Sequence, residues 1–366
     1  MTRQTNLSAN AAIDPAPVQL PVIDWASIGQ TAPQPVAQPA RQAVDPLPRA
    51  DVVVITWTGP EWSALDHVFV NSGTTRDNGT GAWAQDWLAY MRGAEGFTGD
   101  ATGGALWGVF RVVSMTAASG PLTVLLFHSH AHLKYRPYVA GLRAMVQAIL
   151  ADAQPKQLYS TGTAGGGALD QALGDVVVTN GAQFLPGIAP NDTDPANGQT
   201  FTCMTWAAPT TLFAGAQKLM FPMSKAATPA DLQTVFDWLA KHYAVGSLTL
   251  ADLINQPLQP ANLATPTIHD LPGVPLNTSC NFGMAPPQGS TTYSAFEEDD
   301  AIIGQMALKG QVDFAFVRSV SDPVIAGGGA IPAKLRPSWG SALYDRYELV
   351  AACNNALATW AAIAAS

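Results

Sequence analysis

Three stretches of the chain set polar side chains where an apolar run ends, and each offers chemistry. In "STGTAGGG", Ser160 to Gly167, glycines at 162, 165, 166 and 167 follow the strand-like run Gln157–Thr161. A Gly-rich turn leaving a strand lets backbone approach a ligand closely, or simply joins two strands. It is neither GxGxxG opening a helix nor a P-loop with its Lys-Ser/Thr end. In "VRSVSD", Asp322 follows Ser321 at a strand end, where α/β sheets place ligands and a carboxylic acid can hand over a proton. The same Asp also suits an ordinary turn. In "FEEDD", Glu297, Glu298, Asp299 and Asp300 open an expected helix, where acidic residues are favoured by the macrodipole. Ser294 and Glu297 have the S-x-x-E spacing of a capping box, which leaves Glu298 for a ligand.

A fourth stretch, "FHSHAHLKYRP", alternates His128, His130 and His132. On a strand they would share one face, and three imidazoles on one face can bind a metal. No carboxylate or Cys spacing supports such a site, and neither metal nor cofactor is expected. Cys203, Cys280 and Cys353 are far apart and odd in number, so no disulfide framework or Cys-based zinc site follows. The net charge of −9 argues against a nucleic-acid partner, which would need a basic patch. No apolar run reaches the length of a membrane span, and "MTRQTNLSANAAIDPAPVQLPVIDW" lacks the apolar region of a secretory signal. A cytoplasmic protein without a membrane partner is the expectation.

With 48% hydrophobic and 12% charged residues, the chain can bury the large core needed to hold these groups in place. Residues 1–50 are rich in Pro, Ala and Gln and read as an extended arm without a catalytic role, its Val22, Ile23 and Trp25 free to dock on the body or a neighbour. The body, 51–366, opens with Asp51–Trp57, a β-branched run suited to a strand buried on both faces. Thr58-Gly59-Pro60 turns into a helix with Pro60 in its first turn and Glu61 beside it. Further strands are expected at Ala105–Val113, Leu122–His128, Gln157–Thr161, Asp175–Thr179 and Val312–Val320. Helices are expected at Tyr138–Ala151 and Phe296–Lys309, with a long amphipathic one over Ser341–Ala364. This alternation is that of an α/β sheet. Residues 185–275 break it and read as an insertion of long loops around a helix N-capped by Thr228.

The segments "VVITWTGPEWSAL", "STGTAGG…LGDVVVTNGAQF" and "FEEDDAIIGQMALKGQVDFAFVRSVSDPV", in this order, resemble the nucleoside phosphorylase/nucleosidase superfamily, over roughly residues 51 to 360. That superfamily includes purine and uridine phosphorylases and methylthioadenosine/S-adenosylhomocysteine nucleosidases. The resemblance implies a three-layer α/β/α fold around a twisted mixed sheet, a nucleoside or nucleotide as small-molecule partner, and assembly as a homo-oligomer. It implies Asp322 as the acid that protonates a purine, with Ser321 beside it, and Glu298 as ribose anchor next to Glu297. Glu61 becomes the base that activates water, and Thr163, Ala164 and Gly165 the pocket lining. Phe282 falls where the family stacks an aromatic on base or sugar. Asp299 and Asp300 depart from the pattern, which has small residues there.

Cleaving an N-glycosidic bond passes through a cationic, oxocarbenium-like sugar, so carboxylates suit the task. Phosphorylases of the family build an anion site with Gly and Arg near the first turn; Thr58–Trp62 holds no Arg, which tilts the reading toward hydrolysis. Phosphate held by His132, Lys134, Tyr135 or Arg136 is the alternative, and a nucleoside-binding protein without catalysis is a third.

Overall fold

The computed structural model describes residues 12–70, 81–94, 97, 106–187, 191–254, 256–325, 331–333 and 335–366. Residues 1–11 of the arm and Ala105, the expected start of a strand, lie outside them. The sheet is built outward from β2 (Val52–Thr56), whose five residues are all buried, as a β-branched run between two helical layers must be. β2 runs parallel to β5 (Gly120–Ser129) on one side and β6 (Gln157–Gly166) on the other. β6 continues in parallel to β13 (Asp313–Asp322), which pairs antiparallel with β7 (Val176–Thr179). Beyond β5 lies its hairpin partner β4 (Gly108–Ala117), which also receives β3 (Leu88–Tyr90) and the arm's β1 (Gln34–Pro35). At the end of β6, β12 (Ala295–Glu297) starts a branch through β11 (Leu276–Thr278) to β8 (Gly181–Phe184) and β9 (Thr200–Thr202), while β10 (Ile268–Asp270) adds to β7.

Helices cover both faces, which makes the three-layer mixed α/β architecture. α1 (Gly59–Phe69), α3 (Thr210–Gln217) and the thirty-residue α8 (Leu335–Ala364) pack together, and α2 (Val139–Ala153) packs with α7 (Asp300–Gly310) on the other side. The insertion is more than loops: it supplies the edge strands β9 and β10. It also holds α4 (Pro229–His242), α5 (Leu250–Leu253) and α6 (Pro260–Leu263). Thr228 does cap α4, accepting from Asp231 N. Leu232, Val235 and Leu239 of α4 pack on Leu335, Trp339 and Leu343 of α8, forming a second apolar core. The arm docks on the body: Trp25 lies 4.6 Å from Trp360 and Ile23 is buried, whereas Val22 is exposed.

Several boundaries differ from expectation for reasons visible in the packing. β6 extends through Gly166, so the Gly-rich stretch is mostly strand and the turn begins at Gly167. α7 starts at Asp300 rather than Phe296, because residues 295–297 are taken into the sheet. α8 begins at Leu335 rather than Ser341, and its C-terminal half is buried all round, since strands, helices and the arm surround it.

Burial on every side leaves α8's polar residues to be satisfied internally. Asn355 Oδ1 accepts from Thr161 Oγ1 at 3.0 Å, while its Nδ2 donates to the Gly162 carbonyl, stitching the helix to β6. Asn355→Ala would remove both bonds, leaving Thr161 Oγ1 only its Thr359 partner and depriving the buried Gly162 carbonyl of the amide donor, at a cost of about 1–3 kcal/mol. Urea unfolding should show that loss; an unchanged midpoint would remove Asn355 from the account of the fold.

Candidate active site

β5, β2, β6 and β13 are mutually parallel in series, so their C-terminal ends face the same way and surround a cavity of about 550 Å³. Ligand sites of α/β sheets lie at such ends. Glu61, Thr163, Ala164, Gly165, Phe282, Glu297, Glu298, Ser321, Asp322 and His132, each singled out in the sequence, all line it.

Glu61 arrives there because α1 starts where Thr58 takes an extended conformation and Pro60 enters the first turn. Thr58 and Glu61 form a reciprocal capping box. Glu61 Oε2 accepts from Thr58 N at 3.0 Å and Trp57 N at 3.2 Å. The other oxygen crosses to β6, accepting from Thr163 N at 2.6 Å and Thr163 Oγ1 at 2.7 Å. A Cβ on Gly162 would lie 2.8 Å from that oxygen and 2.4 Å from an Arg318 nitrogen, so a side chain there would push both charged ends out of place.

The acidic cluster divides into separate tasks. No Ser294–Glu297 capping box forms, because Glu297 ends a strand; its Oε2 instead accepts from Asp299 N at 2.6 Å and Asp300 N at 2.9 Å, capping α7 from outside. Burial, then the charge of Asp300, pushes the Glu297 carboxyl up. Asp300 holds the buried Arg318, whose Nε donates to Oδ2 at 2.8 Å and whose Nη2 reaches Oδ1; Nη2 also donates to Ser160 Oγ at 3.0 Å. Asp299 accepts from Leu133 N at 2.9 Å, and burial pushes its carboxyl up to about 6. Glu298 faces the cavity, its Oε2 3.1 Å from His132 Nε2 and 3.6 Å from Lys134 Nζ. His132 Nδ1 accepts from Lys134 N, which places the ring proton on Nε2, between Glu298 and Asp299.

At the far end, β13 carries a bulge between Val320 and Asp322 that sets Asp322 opposite Gly165. Asp322 Oδ1 accepts from Ser321 Oγ at 2.9 Å. A Cβ on Gly165 would stand 2.8 Å from Asp322 Oδ2 and 3.1 Å from the Gly283 carbonyl, so the glycine is what lets β13 and the Phe282 segment close on β6.

The histidines do not share a face: β5 ends at Ser129, so only His128 lies on the strand. His128 stacks on Trp62, and His132 turns to the acidic cluster. Among the described residues no group of three or more His, Cys, Asp or Glu is placed to hold a metal. Lys134 and Tyr135 line the cavity; Arg136 does not. Sequence reasoning passed over Arg318, although a lone charge inside "FAFVRSV" had to find a partner. It also passed over Trp57, Trp62 and, from α8, Tyr344 and Glu348. Tyr344 OH donates to Glu348 Oε1 at 2.7 Å, and Thr58 Oγ1 donates to the same oxygen. Burial, then the nearby charge of Glu61, pushes Glu348 up to about 8.

A scan against protein-family models finds no match, and no curated protein matches the chain. Among solved structures, the chain is similar to the 5′-methylthioadenosine/S-adenosylhomocysteine nucleosidase of Neisseria meningitidis. Identity is 13%, the match covers 86% of this chain and 99% of that one, and the TM-score is 0.45. It is also similar to futalosine hydrolase of Helicobacter pylori, at 10% identity over 85% and 96% of the two chains, TM-score 0.45. A third is the S-adenosylhomocysteine nucleosidase of Streptococcus pyogenes, at 14% identity over 87% and 98%, TM-score 0.42. No described helix is long and apolar enough to cross a membrane.

The Glu348 carboxyl titrates near 4.5 when unfolded and about 8 when folded, so the folded state holds an extra proton in between. Its stabilising contribution is complete below the unfolded value and is lost as pH rises through the folded one. Stability should therefore fall between about pH 5 and about pH 9, and Glu348→Gln should lose less over that range. Urea unfolding at both pH values checks this; equal losses in the two proteins would refute it.

Proposed function

We propose that this protein is an N-ribosyl hydrolase that cleaves the N-glycosidic bond of a purine nucleoside or derivative, releasing free base and sugar. The carrying observation is the charge of the cavity. Glu61, Glu297, Glu298, Asp299 and Asp322 line it, against Lys134, Arg318 and three histidines, His128, His130 and His132, of which burial keeps His128 neutral. Lys134, Arg318 and His132 stand next to carboxylates already. An acidic wall favours a cationic sugar in the transition state and disfavours phosphate as the nucleophile. Water is then the nucleophile, and the phosphorylase alternative finds Lys134, Arg318 and His132 each already committed to a carboxylate.

In this scheme the purine lies at the Asp322 end and the sugar diol donates to Glu298. As the C1′–N bond breaks, its electron pair passes to the purine, and Asp322 delivers a proton to a ring nitrogen. Water attacks C1′ and gives its proton to Glu61. The Thr163 hydroxyl can turn from donor to acceptor and so free Oε1 for that task. Phe282 stacks on the ligand. The purine base, a cytoplasmic setting and a homo-oligomeric assembly belong to the same proposal.

Adenosine, inosine, methylthioadenosine, AMP, ATP and uridine would be incubated with the protein, each with and without phosphate, and the products separated by chromatography. Free base and ribose without phosphate are expected; sugar-1-phosphate formed only with phosphate would make the protein a phosphorylase. Asp322→Asn should cut turnover roughly 10²- to 10⁴-fold while ligand binding persists in calorimetry. Binding by the wild type with no product from any substrate would leave a nucleoside-binding protein.

A further inference from the structure

The parallel strands order the cavity as well as enclosing it. From one side to the other come Asp322 on β13, Thr163 to Gly165 on β6, Trp57 and Glu61 after β2, and His128 on β5. A nucleoside carries its base on C1′ and its 5′ carbon on C4′, across the sugar ring. Under the hydrolase reading, on which this inference rests, a base at Asp322 and a diol at Glu298 send the 5′ carbon toward β5.

The wall there has unmet polar groups. The His128 ring lies 4.6 Å from Trp62 with only 7° between the planes, and the His130 ring meets it at 5.3 Å, nearly perpendicular. His128 Nδ1 is enclosed with no hydrogen-bond partner, and so is Trp62 Nε1. Both atoms are closed off from the cavity, so a ligand in it can meet the His128 ring only through the other nitrogen, Nε2. Burial, aided by His130, pushes the His128 imidazole down to about 3, so the ring is neutral, with one N–H and one lone pair. A lone pair is the cheaper group to leave unpaired in the enclosed Nδ1 position, which puts the proton on Nε2. His128 is only 8% exposed, and what it exposes lines the cavity.

We propose that His128 is a specificity-determining residue that donates a hydrogen bond from Nε2 to an uncharged oxygen on the 5′ carbon, so that the substrate is a nucleoside with a free 5′-hydroxyl. A 5′-phosphate finds no charge on this ring to offset its own. A 5′-thioether or 5′-methyl group leaves the N–H buried without an acceptor.

The test compares adenosine with 5′-deoxyadenosine, methylthioadenosine and AMP, in the wild type, His128→Leu and His128→Gln. Wild-type kcat/KM should favour adenosine over 5′-deoxyadenosine roughly tenfold to hundredfold, the factor set by an unmet buried hydrogen bond. In His128→Leu that ratio should collapse toward one, and in His128→Gln, which keeps a donor, it should stay above one. Equal wild-type rates on the two substrates, a preference for AMP or methylthioadenosine, or an undiminished ratio in His128→Leu would overturn the assignment. Calorimetry with adenosine and 5′-deoxyadenosine gives the same ratio as Kd values. Absence of base release would therefore end the hydrolase reading while the binding ratio still decides the role of His128.

Discussion

The site depends on one buried guanidinium. Arg318 sits inside β13 between two helical layers, where an unpaired charge could not persist. Its fork is met by the Asp300 carboxylate and by Ser160 Oγ, with Glu297 at 3.5 Å. Those partners come from α7, β6 and β12, so satisfying a single side chain fixes three elements around the cavity. Removing one partner of such a buried pair typically costs about 3–5 kcal/mol, because the other charge is left stranded. The pairing also reaches the chemistry: the Arg318 and Glu61 side chains both come close to Gly162, where a Cβ would displace them.

Around that centre, each carboxylate differs by its surroundings rather than by its type. Glu297 and Asp300 are absorbed into holding α7 and Arg318, Asp299 into holding the loop after β5, and Glu298 is left facing the cavity. Glu61 shows that structural and chemical roles need not compete. One oxygen caps α1, and the other reaches the Gly-rich strand. Glu348 stands behind it, tied through Thr58 and Tyr344, so the proposed base has a second acid within its electrostatic reach.

Much of this was legible from residue order. A β-branched run marked β2 and an apolar run marked β13, and the polar residues closing those runs came together at one cavity, because parallel strands present their ends on one side. What sequence could not convey was which local pattern would yield to the sheet. Ser294 and Glu297 have helical capping spacing, but pairing of residues 295–297 claimed that segment first. The alternating histidines looked like one strand face until β5 stopped at Ser129. Asn354, Asn355 and Thr359 in α8 look like a solvated face by pattern, yet they are buried because their partners lie in the strand beneath and in the insertion. Periodicity cannot report such long-range partners.

The bulge in β13 makes the site a matter of counting. Val320 pairs with Ala164 and Asp322 with Gly165, so one extra residue is spent between two adjacent rungs. Without it, Ser321 would take the rung opposite Gly165 and the carboxylate would move one place along the strand, to the opposite side of the sheet. Substitutions along β13 alter what fills a given place, but gaining or losing one residue reverses which layer every later side chain addresses. The chain therefore tolerates length changes very unevenly. In the long segments of the insertion they are absorbed by the backbone, whereas in these ten residues they exchange the inside of the cavity for the packing behind it.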